Sequence, residues 1–228
     1  MIPLKDDNPS QLTPVVTIGL IVTCTLVFLW QFMQGPRAGQ AIIYALGLIP
    51  SVLFGHRSLP PEVATVPAAL TVFTSMFLHG GWLHLIGNML YLWIFGDNVE
   101  DAMGHGRFLA FYLLCGVAAA FTQALPDPQS TLPMVGASGA ISGVLGAYLL
   151  LYPRARVLVL VPIFIIITTM RLPASLVLGL WFVLQALSTL AASEGGGVAF
   201  RAHVGGFIAG MLLLMFFKRP GFRPLLRE

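Results

Sequence analysis

The chain has 228 residues, 57% of them hydrophobic and 9% charged, and its mean hydropathy is +0.87. A soluble domain carries about a quarter charged residues, so lipid must be most of this protein's solvent. A formal net charge of +3 is too small to argue for nucleic acid, and Cys24 and Cys115, both in apolar runs, argue against a disulfide framework and have no second ligand type at metal spacing.

The first apolar run, Pro14 to Phe32, follows the mixed-charge start Lys5-Asp6-Asp7, and no small-residue cleavage site closes it. It reads as a retained span rather than a signal peptide. From Gly35 to Gly81 two semi-apolar pieces, Ala38–Phe54 and Pro67–Leu78, are broken by Gly55-His56-Arg57 and Pro60-Pro61. Each falls short of a comfortable crossing, which takes roughly 20 residues, so this first loop is expected to be interfacial or half-inserted. Trp82–Met103 is span two, Phe108–Leu125 span three and Ser138–Tyr152 a short span four. Val157–Met170 is apolar, but it is short and contains Pro162; it is expected at the interface. Leu172–Ala192 is span five and Ala202–Phe217 span six. The fold class is an all-α polytopic membrane protein. Residues 1–13 form a cytoplasmic tail, 14–217 the six-span domain and 218–228 a second cytoplasmic tail. With the N-terminus inside, nine of the 12 basic residues lie on the cytoplasmic side and three (Arg37, Arg57 and Arg201) outside. Compact length and the lack of a transit-like extension favour a bacterial inner membrane.

Polar side chains inside spans are costly and mark candidate sites. His84 and Asn88 stand four apart on one face of span two. Ser138 opens span four within Gly136-Ala137-Ser138-Gly139, and His203 stands near the start of span six, before Gly205, Gly206 and Gly210. Ser138 lies 15 residues before Pro153, and His203 lies 15 before Lys218. At 1.5 Å per residue both sit about 22 Å above the inner boundary, below the outer surface of a core roughly 30 Å thick. Gly206 and Gly210 on one helix, with Gly139, Gly143 and Gly146 on the other, would let the two backbones approach. His203 would then take the Ser138 proton and return it to a leaving amine. All nine acids fall in loops, tails or span ends, so a dyad is expected rather than a triad. Unpaired N–H groups at the start of span four, the Asn88 amide and a His84 N–H are the candidate oxyanion donors.

His79-Gly80-Gly81-Trp82-Leu83-His84-Leu85-Ile86-Gly87-Asn88, Gly136-Ala137-Ser138-Gly139 and Ala202-His203-Val204-Gly205-Gly206 with Gly210, in this order, resemble the three signatures of the rhomboid intramembrane serine proteases. The resemblance covers residues 14 to 217. It implies a six-helix core, Ser138 as nucleophile, His203 as base, and oxyanion or substrate-binding roles for Asn88, His84 and the backbone around Gly136 and Gly139. It also implies transmembrane protein substrates; the sequence itself shows no metal, nucleotide or haem motif, so no cofactor is expected. Two positions depart from the pattern: Leu70-Thr71 stands where many members have Trp-Arg, and Ser142 where well-known bacterial members have a tyrosine stacked near the catalytic histidine.

Blander readings exist for each residue. Ser138 could be a packing residue among glycines, His203 a structural histidine, and Asn88 a tie between helices. His79 is expected to hydrogen-bond within the loop, and His56 and His105 to be solvated. Asp97, Glu100 and Asp101 form a cap and interface cluster with Arg107 as a partner, while Trp82 and Trp93 read as belt residues. Substrate access is expected at span five, around Trp181 and Phe182, and at the loop Glu194–Val198. The alternative function is a non-catalytic rhomboid-like protein that binds transmembrane segments. The sequence does not specify an oligomeric state.

Overall fold

The computed structural model describes residues 1–163, 166–191 and 199–222; the expected access loop at Glu194–Val198 lies outside them. Helix α1 (Val15–Met33) runs along the edge of the bundle and turns at Gln34 into α2 (Gly35–Leu46). The first loop continues through the short α3 (Pro50–Leu53), α4 (Thr71–Thr74) and single 3-10 turns at Ala68–Leu70 and Ser75–Phe77. Then come α5 (Trp82–Met103), α6 (His105–Ala124), α7 (Ser138–Leu151), α8 (Ala174–Ala191) and α9 (Phe200–Phe217). Three helices, α1, α6 and α9, are each long and apolar enough to cross a membrane, and α5 joins them if the bent pair 68–77 and 82–103 counts as one span. Large apolar side chains such as Leu83, Leu190, Met215 and Phe216 are exposed around the outside, as a lipid-facing surface requires. The protein is a polytopic helical bundle.

At the centre stands α7, where every residue from Gly139 to Tyr148 is buried. Its 14 residues span about 21 Å, less than the hydrocarbon thickness. A helix this short is tolerated because its neighbours, not lipid, surround it. Phe95, Phe111, Tyr112, Leu145 and Tyr148 fill the core around it.

The described residues of the stretch Val157–Met170 form the two arms of a β-hairpin. Strand β2 (Arg156–Ile163) pairs antiparallel with β3 (Ile166–Pro173), and the N-terminal β1 (Ile2–Asp6) adds to the other edge of β2. The bundle is therefore not purely helical. Leu172 belongs to β3, so the helix of span five begins two residues later, at Ala174. β-Branched residues dominate the hairpin, and they favour a pleated, half-buried surface. Val157 and Val159 turn into the core.

The C-terminal end of α5 is the anchor for the N-terminal segment. Buried Glu100 accepts the Val16 and Thr17 N–H groups at 2.9 and 2.8 Å and the Thr17 hydroxyl at 2.7 Å, capping α1 from another helix. The same carboxylate pairs with His105 Nδ1 at 2.6 Å, so His105 is not merely solvated. Asp101 accepts the Gln11 N–H at 2.9 Å and pairs with Arg219 at 3.2 Å. Among the described residues the expected partner Arg107 makes no ion pair with this cluster; Arg219, returning from the end of α9, takes that place.

The first loop is held without Trp-Arg. Thr74 donates its hydroxyl to the Leu46 carbonyl at 2.6 Å, Gln31 donates its amide to the His79 carbonyl at 3.0 Å, and Leu48 bridges Met134 through backbone bonds. His79 thus takes part through its carbonyl, while its ring lies edge-on to His84. Trp82, half-exposed, packs on Phe28 and Phe32 and closes the loop onto α1.

Candidate active site

Ser138 is the first residue of α7 and His203 lies in the first turn of α9. The imidazole Nε2 is 2.9 Å from the Ser138 Oγ, a hydrogen-bond distance across 65 residues of sequence. Glycines produce this approach. A Cβ on Gly206 would collide with the Gly139 carbonyl, and one on Gly210 with the Gly143 carbonyl. Only with bare backbone on both sides can α7 and α9 run this close. The hydroxyl and the imidazole then meet at the end of the contact nearest the helix starts.

Gly136 has φ +123° and donates its N–H to the Ser75 carbonyl at 2.9 Å. An L side chain there is strained, and its Cβ would lie 2.6 Å from His84 Nε2. The glycine thus brings the backbone just before Ser138 flat against span two. His84 Nδ1 accepts the Gly80 N–H at 3.2 Å, so the remaining proton of a neutral ring sits on Nε2, the nitrogen facing Gly136. Asn88 is buried, its Nδ2 has no acceptor among the described residues, and that nitrogen lies 3.7 Å from the position a Gly136 Cβ would take. Two N–H donors therefore converge beside the segment that leads into Ser138. Ile141 N–H to the Ala137 carbonyl is the bond that closes the first turn of α7, so the N–H groups of Ser138, Gly139 and Ala140 precede the helical ladder. The space where a Gly139 side chain would stand is filled by Ala119 of α6, so this glycine packs a helix as well as opening one.

His203 has further neighbours. Its Nδ1 is 2.8 Å from Gln185 Oε1 on α8. The Trp181 ring lies 6.0 Å from the imidazole at 36°, and Phe200 meets it edge-on at 6.5 Å. Phe182 stacks on Phe207 instead. Ser142, in the position of the family's tyrosine, turns its hydroxyl back to the Ser138 carbonyl at 2.6 Å. Gln185 was not singled out in the sequence, although it is the one amide side chain in α8, whose other polar residues are the hydroxyls Ser175, Ser188 and Thr189, and that is itself a signal. A cavity of about 570 Å³ opens elsewhere, among β1, the C-terminal half of α5 and strands β2 and β3, and touches none of these groups.

Comparison with known proteins agrees in the same region. Residues 67–220 match the family model of the rhomboid domain. The chain is 28% identical over 190 residues to Rhomboid protein 1, mitochondrial, of Saccharomyces cerevisiae, covering 75% of this chain and 51% of that protein. It is 40% identical over 78 residues to RHOMBOID-like protein 5 of Arabidopsis thaliana, covering 34% of this chain and 25% of that one. Over 78 residues it is 44% identical to Rhomboid protease GluP of Bacillus subtilis, again 34% of this chain and 15% of the relative. The chain thus spans about half the length of these relatives or less. Because the family match takes in α5 through α9 and with them every side chain around Ser138, the chain belongs to the rhomboid family.

Proposed function

We propose that this protein is an intramembrane serine endopeptidase acting by a Ser138–His203 dyad on transmembrane segments of other membrane proteins. The observation that carries the reading is the 2.9 Å contact between His203 Nε2 and Ser138 Oγ at the half-buried start of α7. In the acylation step Oγ attacks the scissile carbonyl while Nε2 takes its proton; the imidazolium then protonates the leaving amine. Water repeats the sequence to release the acyl group. Negative charge that develops on the carbonyl oxygen would be met by the Asn88 amide, the His84 Nε2–H and the open N–H groups of α7. Asn88 supports this role more than a helix tie, since its Nδ2 bonds to no neighbouring helix.

In this reading α1, α5, α6, α7, α8 and α9 are the six spans, and both ends face the cytoplasm, where nine of the 12 basic residues then lie. The hairpin and β1 would sit at the inner surface. The relatives come from mitochondria as well as a bacterium, so the likeness selects a membrane and not a particular one. An intact substrate helix keeps its carbonyls in its own ladder, so the segment must unwind near its outer end to reach Ser138.

The test is labelling of the purified chain by a serine-reactive fluorophosphonate, alongside cleavage of a panel of single-span proteins. Ser138→Ala and His203→Ala should each abolish both signals, and the double variant should lose little more than either one. A folded protein that neither labels nor cleaves, yet retains single-span proteins, would instead be the non-catalytic binder.

A further inference from the structure

If His203 accepts the Ser138 proton, its Nε2 must carry the lone pair, and the ring proton must sit on Nδ1. That Nδ1–H needs an acceptor inside the bundle, and leaving it unmatched there is costly. Serine hydrolases commonly answer this with a carboxylate. Among the described residues His203 has two side-chain hydrogen-bond partners, Ser138 and Gln185, and neither is an acid. Gln185 Oε1, 2.8 Å from Nδ1, is the acceptor. Trp181, one helical turn earlier on α8, covers the face of the same ring. Ser142 gives the ring no support, because its hydroxyl is engaged with the Ser138 carbonyl.

We propose that Gln185 is a positioning residue of the dyad, and that α8 rather than α7 holds the base in this protein. The inference rests on the peptidase reading. An amide oxygen offers a dipole and not a full charge, so it fixes the tautomer and the ring direction more than it stabilises the imidazolium. Any outward movement of α8 releases the Nδ1–H. The orientation of the base and the seating of that helix are therefore linked.

The experiment uses the full chain in detergent with three forms: unmodified, Gln185→Met and Gln185→Glu. Methionine keeps the length and removes the acceptor, whereas glutamate keeps an acceptor oxygen whether ionised or not. Gln185→Met should lower the fluorophosphonate labelling rate about 10- to 100-fold, less than the roughly 10⁴-fold lost where a charged tautomer holder is removed, while Gln185→Glu should stay near the unmodified rate. A merely structural glutamine predicts the reverse order, since methionine packs well in a span and a carboxyl does not. Nitrogen-15 shifts of the histidines supply a second readout. They should show the His203 proton on Nδ1 in the unmodified chain and a mixture of tautomers in Gln185→Met. Labelling of Gln185→Met at the unmodified rate, or a proton on Nε2 in the unmodified chain, would overturn the proposal. If the unmodified chain does not label, the peptidase reading fails by itself, and the nitrogen shifts still decide whether Gln185 sets the tautomer.

Discussion

Gly206→Ala should inactivate the protein through a single methyl group that touches neither reacting side chain. The built Cβ falls 3.0 Å from the carbonyl carbon of Gly139 and closer still to its oxygen, where ordinary contact begins at 3.4 Å. The obstacle is backbone in a buried helix, so no rotamer change relieves it. α7 and α9 must move apart by roughly 1 Å, a displacement that can cost about 10²-fold in rate when it misplaces a catalytic group. Added to the present 2.9 Å between Ser138 and His203, it takes the pair beyond hydrogen-bond reach. Overpacking of this kind also costs about 1–3 kcal/mol of stability. The assay is fluorophosphonate labelling with a thermal unfolding scan in the same detergent. Gly19→Ala is the control, since a methyl there meets nothing within 4 Å and alanine favours the helix. Gly206→Ala should lose both labelling and thermal stability, while Gly19→Ala should keep both. Unchanged labelling and melting in Gly206→Ala would refute the claim that bare glycine backbone sets the Ser138–His203 distance.

Asn88→Ala should lower turnover about 10²- to 10³-fold while substrate affinity holds, because the donor acts on charge present only in the transition state; a loss of affinity at constant turnover would make Asn88 a substrate contact. Glu100→Ala strands the Val16 and Thr17 N–H groups and should cost about 2–3 kcal/mol, read as a lower melting temperature with undiminished labelling of the folded fraction. Burial pushes the Asp6 carboxyl up to about 7 from 3.8, against the lowering effect of the Tyr148 hydroxyl bonded to it. Between those values the folded chain holds a proton the unfolded chain has lost, so this contribution to stability falls as pH rises from about 4 to 7. The melting temperature of Asp6→Asn should therefore gain on that of the unmodified chain across that window, and parallel melting curves would contradict the assignment.

The bundle was legible because span hydropathy is a local property. Trp82–Met103 was bounded in the sequence as it is in the structure, and the Pro14 and Ser138 boundaries shift by one residue or none. Ser138, His203, His84 and Asn88 stood out because polar groups in lipid-dissolved helices are rare. The sheet was not legible. In sequence β2 and β3 offer only an apolar run with a proline, and the third strand, β1, comes from some 150 residues upstream, a pairing that no local pattern encodes. The ion pairs around the C-terminal end of α5 failed for the same reason. Charge and proximity in sequence suggested Arg107, whereas the chain's return through α9 delivers Arg219. Gln185 was visible as an amide in an apolar helix, but its meaning depends on which face of α8 meets α9.

The acids around the C-terminal end of α5 and the donors near Ser138 are partnered in opposite ways, although Asn8, Asn98 and Arg219 also leave buried atoms without a partner among the described residues. Glu100 accepts four hydrogen bonds, Asp101 is matched by Arg219 and Gln11, and Asp6 by Tyr148, so these acids are bound to fixed partners. Such a network resists change, since removing one member leaves the others buried and unmatched. Near Ser138 the donors are arranged but not all used: the Asn88 amide has no acceptor and the His84 Nε2–H faces bare glycine backbone. Leaving a buried donor such as the Asn88 amide unmatched costs about 1–3 kcal/mol. In the peptidase reading a passing negative charge would recover it, and the resting site would then suit a transition state better than a bound helix. Substitutions of Glu100 and Asp101 should therefore change melting temperature more than labelling, and those of Asn88 should change labelling more than melting temperature. Asn88→Leu is the sharpest case, because it removes the unmatched donor, keeps the volume, and should raise the melting temperature while labelling collapses. A fall in both would return Asn88 to the role of helix tie.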